Sequence, residues 1–170
     1  SVDAQKVHMR LISDATRRIE TFVRRLKSFA GIDRADYTRF DPIHALDDVI
    51  ALLEPEFRDT VRVTKQYGDV PGIYGYAAEM SQVFMHLIRN AAEAIEGGGE
   101  VTVGADCDTE HIRIIVADSG RGIASEDIEK LFNPGFSLQD RRVRASLSLF
   151  TCLSIVRKHG GDIQVASTPG

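Results

Sequence analysis

With 170 residues, 43% hydrophobic and 27% charged, the sequence has enough chain for one sizeable core and the composition of an ordinary globular protein. A net charge of -4 gives no general attraction to nucleic acid, and no apolar run approaches the roughly 18 residues that a membrane span requires. Cys107 and Cys152 are too few for a disulfide framework, and neither has a second Cys or a His at metal-ligand spacing, which predicts a reducing, cytoplasmic setting. No signal-peptide pattern is present, and the start at Ser1-Val2-Asp3 reads as that of an excised piece.

The elements follow in chain order. His8, Ile12, Ala15, Ile19, Phe22, Leu26 and Phe29 recur at alternating spacings of four and three, a heptad seam, while Arg10, Arg17, Arg18, Glu20, Arg24, Arg25 and Lys27 fall outside it. This predicts a helix over 1–31 that stops at Gly31, with basic residues in its last turns, where they suit the helix dipole. The seam can pack on its own domain or pair with its copy in a second chain. Tyr37 to Asp41 reads as a short extended segment. Pro42 to Phe57 reads as an amphipathic helix, with Ile43, Leu46, Val49, Ile50 and Leu53 on one face. Val61 to Tyr67 alternates as a strand. Glu79 to Ile95 is a helix stopped by Gly97, Gly98 and Gly99, and Val101 to Ala105 with His111 to Ala117 forms a hairpin around Asp108-Thr109. Ser125 caps a short helix that runs to Leu131. A helix over Ser146 to Lys158 and a strand over Asp162 to Ser167 complete the set, and His44, His111 and His159 read as structural. Helices collected on one face of a mixed sheet make a two-layer α/β sandwich over residues 37–170.

The chemistry concentrates where the apolar run Ile112 to Ala117 ends in Asp118-Ser119-Gly120-Arg121-Gly122-Ile123. A carboxylate at the end of a buried strand can accept a hydrogen bond from an exocyclic amine such as that of adenine, and a following Gly-x-Gly lets backbone approach a flat ring. Upstream, Asn90 offers a neutral carbonyl oxygen, a hard ligand suited to a magnesium ion whose other partners are phosphates. Downstream come Leu131-Phe132-Asn133-Pro134-Gly135-Phe136-Ser137 and the run from His159-Gly160-Gly161 to Pro169-Gly170.

Taken in this order, the segments resemble the catalytic ATP-binding domain of sensor histidine kinases, within the gyrase, Hsp90 and MutL ATPase superfamily. Asn90 falls in the asparagine box, Asp118 to Gly122 in the first glycine box, and Phe132 to Phe136 in the phenylalanine box. The resemblance implies a Bergerat-type fold, with ATP and magnesium as cofactors. It implies a nucleotide site made of Asn90, Asp118, Gly120, Gly122, Ile123, Phe132, Ser146, Leu147 and Ser148, with Asn90 as the magnesium ligand and His86 as a second candidate. A lid over 137–145 would carry Arg141, Arg142 and Arg144. The stretch ISDATRRIETFVRRLKSFA resembles the second helix of the kinases' dimerisation hairpin, which implies a homodimer through the first helix and a response regulator receiver domain as partner. The charge and the lack of a long apolar run predict no nucleic-acid partner and no direct membrane insertion by this chain. The phosphoacceptor histidine would then lie on a helix not present here, since His8 is followed by Met9-Arg10 and not by an acid.

Two departures from the pattern bear on function. Hydrolytic members of the superfamily carry a water-activating glutamate four residues before the box asparagine, whereas this chain has His86 there; that favours transfer to a protein over hydrolysis. In the second glycine box, the family's Gly-Leu-Gly-Leu aligns with Ser146-Leu147-Ser148-Leu149, so both glycines are serines. A Cβ there hinders backbone N–H groups from wrapping a triphosphate, which leaves a second reading: a scaffold or phosphotransfer module with weak or no ATP binding. The family also continues past a Pro-Gly turn like Pro169-Gly170 into one more strand.

Overall fold

The structure, a computed structural model, describes residues 36–133 and 149–169. The seam helix over 1–31, the lid arginines Arg141, Arg142 and Arg144, and Ser146, Leu147 and Ser148 lie outside the described residues.

Strand β1 (Tyr37–Phe40) leads into helix α1 (Pro42–Phe57), which is followed by β2 (Val61–Tyr67), β3 (Ile73–Tyr76), α2 (Ala77–Glu93), β4 (Gly99–Cys107) and β5 (Ile112–Asp118). A single helical turn, α3 (Ser125–Ile128), and helix α4 (Leu149–Lys158) complete the described elements. Strands β2, β4 and β5 form a mixed sheet in that order: β2 runs parallel to β4, and β4 antiparallel to β5 with Val101 opposite Asp118. A second, two-stranded sheet pairs β1 with β3 antiparallel, Tyr37 opposite Tyr76.

Local chemistry sets these boundaries. The Asp41 carboxylate opens α1 by accepting from the backbone N–H groups of Ile43 at 2.9 Å and His44 at 3.4 Å, and Pro42 takes the first helical position, where no donor is needed. Leu46, Val49, Ile50 and Leu53 of α1 meet Phe84, Ile88 and Ala91 of α2 and the inward-facing Val61, Val101, Val103 and Ala105 of the sheet in one buried core. That core is the glue between the two layers. At about 25 cal/mol per Å² of apolar surface removed from water, a fully buried Leu or Ile contributes on the order of 2 kcal/mol.

Helix α2 begins at Ala77, two residues ahead of the predicted Glu79, because the chain passes directly from β3 into the helix with no capping side chain at Tyr76. The acceptor comes from the far end of the domain: the Tyr76 N–H donates to Nε2 of His159 at 2.9 Å, while Nδ1 of His159 lies 2.8 Å from the Ile155 carbonyl. The same contact explains Gly75, where a Cβ would sit 2.7 Å from the His159 ring. His159 is thus structural as predicted; the His44 and His111 side chains are exposed beside Asp48 and Asp108, while the His111 backbone closes the β4–β5 turn on Asp108.

Three expectations are corrected. Strand β3 was not anticipated, since it is short, holds a glycine and runs into a helix without a turn. Ser125 is the first residue of α3 and not its cap; the cap position is Ala124, with no side-chain hydrogen bond, and the helix closes at Ile128 instead of reaching Leu131. Asp162 to Ser167 is not a strand. Its alternation survives as half-buried Ile163, Val165 and Ser167 against exposed Gln164 and Ala166, but among the described residues no β-ladder joins it to the sheet, so the two-residue period there reflects burial without pairing.

Candidate functional site

Asp118 ends β5, and its exposed carboxylate accepts the Gly120 N–H at 2.8 Å through Oδ1, an Asx turn that reverses the chain. Oδ2 has no partner among the described residues. Ser119 extends the pairing with β4: its N–H donates to the Glu100 carbonyl at 3.1 Å, and its hydroxyl accepts the Glu100 N–H at 2.9 Å. The turn is fastened to the end of α2. The Arg121 N–H donates to the Ala94 carbonyl at 3.2 Å, and a Cβ on Gly120 would stand 2.5 Å from that same oxygen.

Gly122 has φ +70°, and a Cβ there would collide with the Thr168 carbonyl and lie 2.9 Å from the Pro169 Cα. The two glycines therefore answer first to this chain's own backbone, Gly120 to α2 and Gly122 to the 167–169 segment, where the sequence reading assigned both to a flat ligand. Ile123, whose N–H donates to the Ser167 hydroxyl at 2.9 Å, completes the clamp.

Asn90 sits on the last turn of α2, where its carbonyl accepts the Ala94 N–H at 3.0 Å. Its side chain is exposed, and its Nδ2 lies 2.9 Å from Nε2 of the buried His86, one turn earlier. Burial, and then the Arg89 guanidinium, hold the His86 imidazole below its ordinary value of 6.5. Arg89 itself pairs with Glu56 at 3.2 Å. The Asn90 Oδ1 has no partner among the described residues.

Asn90, Asp118, Gly120, Gly122 and Ile123 line one groove, bounded by α2 and β5 on one side and by the 159–169 segment on the other. Phe132 is half-buried after α3 and does not line the groove; its neighbour Leu131 does. Ser167 and Thr168 belong to the site's framework and were missed, because a serine in an alternating stretch looks like any strand residue. Among the described residues no group of three or more His, Cys, Asp or Glu is placed to hold a metal ion, and no helix is long and apolar enough to cross a membrane.

Comparison with known proteins identifies the family and the fold. The adaptive-response sensory kinase SasA of Crocosphaera subtropica is 37% identical over 105 residues, covering 60% of this chain and 28% of that protein. Sporulation kinase C of Bacillus subtilis is 25% identical over 169 residues, covering 98% of this chain and 39% of its own length. The chain thus spans well under half of these relatives. Among solved structures, the catalytic domain of the histidine kinase ThkA superposes with a TM-score of 0.66 at 23% identity, covering 72% of this chain and 81% of that one. The Acinetobacter baumannii histidine kinase AdeS gives 0.65 at 19% identity, over 95% and 78%. Residues 75–170 match the family described as histidine kinase-, DNA gyrase B-, and HSP90-like ATPase, and the chain belongs to that family.

Proposed function

We propose that this chain is the ATP-binding catalytic core of a two-component sensor histidine kinase, one that phosphorylates a histidine on a dimerisation helix outside this chain for relay to a response regulator. The observation that carries the reading is that Asp118 and Asn90, on two elements joined through Ala94, line the same groove, each with a side-chain oxygen that has no partner among the described residues. These residues fit the nucleotide. The free Asp118 oxygen suits an exocyclic amine, and the Asn90 carbonyl suits magnesium, a hard cation that keeps most of its charge partners among phosphates.

ATP supplies the phosphoryl group and magnesium the charge neutralisation. The chain's own part is positioning. Asp118 fixes the base, the Asx turn and the Ser167 clamp hold Asp118 in place, and Asn90 orients the phosphate end, so no base is required from this domain. His86 in place of a carboxylate leaves no water-activating glutamate at that position, which favours transfer to a protein acceptor. The histidine kinase ThkA has been solved in complex with the response regulator TrrA, at a TM-score of 0.63 and 22% identity to this chain. A receiver domain is the corresponding proposed partner here, and a second copy the proposed partner of the 1–31 seam.

Ser146 and Ser148 favour a second reading, a scaffold that keeps the fold with weak nucleotide affinity. Titration with a non-hydrolysable ATP analogue and magnesium separates the two. A kinase core binds at micromolar concentration as it stands. A scaffold gives no signal until Ser146→Gly and Ser148→Gly together return the close backbone donors at the phosphates.

A further inference from the structure

His86 and Asn90 lie one turn apart on α2, with the Asn90 amide nitrogen 2.9 Å from the His86 Nε2. An amide nitrogen only donates, so this placement calls for Nε2 as the acceptor and for the imidazole tautomer with its proton on Nδ1. The two ends of an asparagine amide are nearly alike in shape. An asparagine that must present oxygen to a cation needs a neighbour able to tell nitrogen from oxygen, and an unprotonated ring nitrogen takes only the nitrogen end. His86 is buried where Asn90 is exposed, so the fixed member of the pair is the one that sets the orientation of the other. With Nε2 turned to Asn90, His86 would not serve as a magnesium ligand, and magnesium takes oxygen ligands in preference to imidazole.

We propose that His86 is a positioning residue, which accepts one amide hydrogen of Asn90 and thereby holds the Asn90 side chain with Oδ1 free for the divalent cation. The cation half of this inference rests on the nucleotide reading above; the hydrogen-bond half does not. The arrangement replaces a water-activating carboxylate with a group that acts only through its neighbour, so the same position serves metal placement instead of hydrolysis.

Two measurements on the full chain test it. Nitrogen-15 NMR of the histidine rings, without nucleotide, should find His86 protonated on Nδ1 with Nε2 accepting, and His86→Leu should shift the Asn90 side-chain amide resonances. A His86 ring protonated on Nε2 overturns the proposal. Titration with AMPPNP, with and without magnesium, should give an enhancement by magnesium that falls about tenfold in His86→Leu, the scale of losing a group that orients a ligand, and that returns in His86→Gln, whose carbonyl can accept from Asn90. A His86→Leu chain that keeps the full enhancement overturns the proposal, and so does a loss that His86→Gln fails to restore. If the unaltered chain binds no AMPPNP at any magnesium concentration, the nucleotide reading and the cation half fall together. The NMR result then decides the His86 to Asn90 pair by itself.

Discussion

At the scale of single residues, environment separates side chains of identical type. Cys152 is fully buried in α4, and desolvation pushes its thiol up to about 11, while Cys107 at the end of β4 is exposed, its Sγ donating to the Asp69 carbonyl at 3.1 Å. Because the thiolate is the nucleophile, iodoacetamide at pH 8 should modify one cysteine per native chain, and peptide mapping should place the label on Cys107. Cys152 should react only in denaturant. Labelling of both thiols at equal rates in the native protein would show that α4 does not stay docked on its buried face. The same scale explains what could be read in advance at the site. Asp118 alone reads equally as an ordinary Asx turn, which it does make with Gly120, and it stands out only together with Asn90 and the other boxes in order. Ser167 and Thr168 give no such signal, since their importance arises only when the chain's end folds over Gly122 and Ile123.

At the scale of elements, helices with side-chain signals were legible and contacts made over long sequence separations were not. Helix α1 could be bounded to the residue because Asp41 and Pro42 mark its start, whereas α2 is opened by an acceptor 83 residues away. That acceptor is a test of how the first and last parts of the domain are joined. Replacing His159 with Ala leaves the half-buried Tyr76 N–H without a partner, which should cost about 1–3 kcal/mol in a urea unfolding experiment. Lys158, 3.9 Å over the Tyr76 ring and paired with Glu79 at 2.8 Å, stays in place in that variant, so the loss should be partial and the unfolding should remain cooperative. A variant as stable as the unaltered chain would mean that water satisfies Tyr76 and that His159 joins nothing. The hairpin between β4 and β5 makes a pH prediction. The Asp108 carboxylate accepts from Glu110 N–H at 2.9 Å and His111 N–H at 2.8 Å, and these bonds, helped by the nearby His111 and Arg113 charges, hold it below its ordinary 3.8. Since folding favours the charged form, the contribution is present above the unfolded value and disappears as pH falls through the lower folded one. Urea midpoints should therefore drop less between pH 5 and pH 2.5 in Asp108→Asn than in the unaltered chain, with equal slopes indicating that the turn does not depend on the charge.

For the whole molecule, the layered fold serves to bring two distant chemical groups to one groove. Asn90 arrives on the helical layer and Asp118 on the sheet, and the Ala94 carbonyl, between Gly120 and Arg121, holds the layers in register at that point. The family could be read because several short segments, each weak alone, stand in the order in which the resembled family carries them. The final strand-like segment was misread because the pattern of burial that predicts a strand does not specify a pairing partner. The central claim is that Asp118 and Asn90 form one working nucleotide site, and calorimetry of ATP with magnesium measures it most directly. The account predicts micromolar binding by the unaltered chain and a loss of about 1–3 kcal/mol, up to roughly a hundredfold in affinity, in Asp118→Ala. Binding that Asp118→Ala leaves unchanged, or no binding by the unaltered chain, would contradict it.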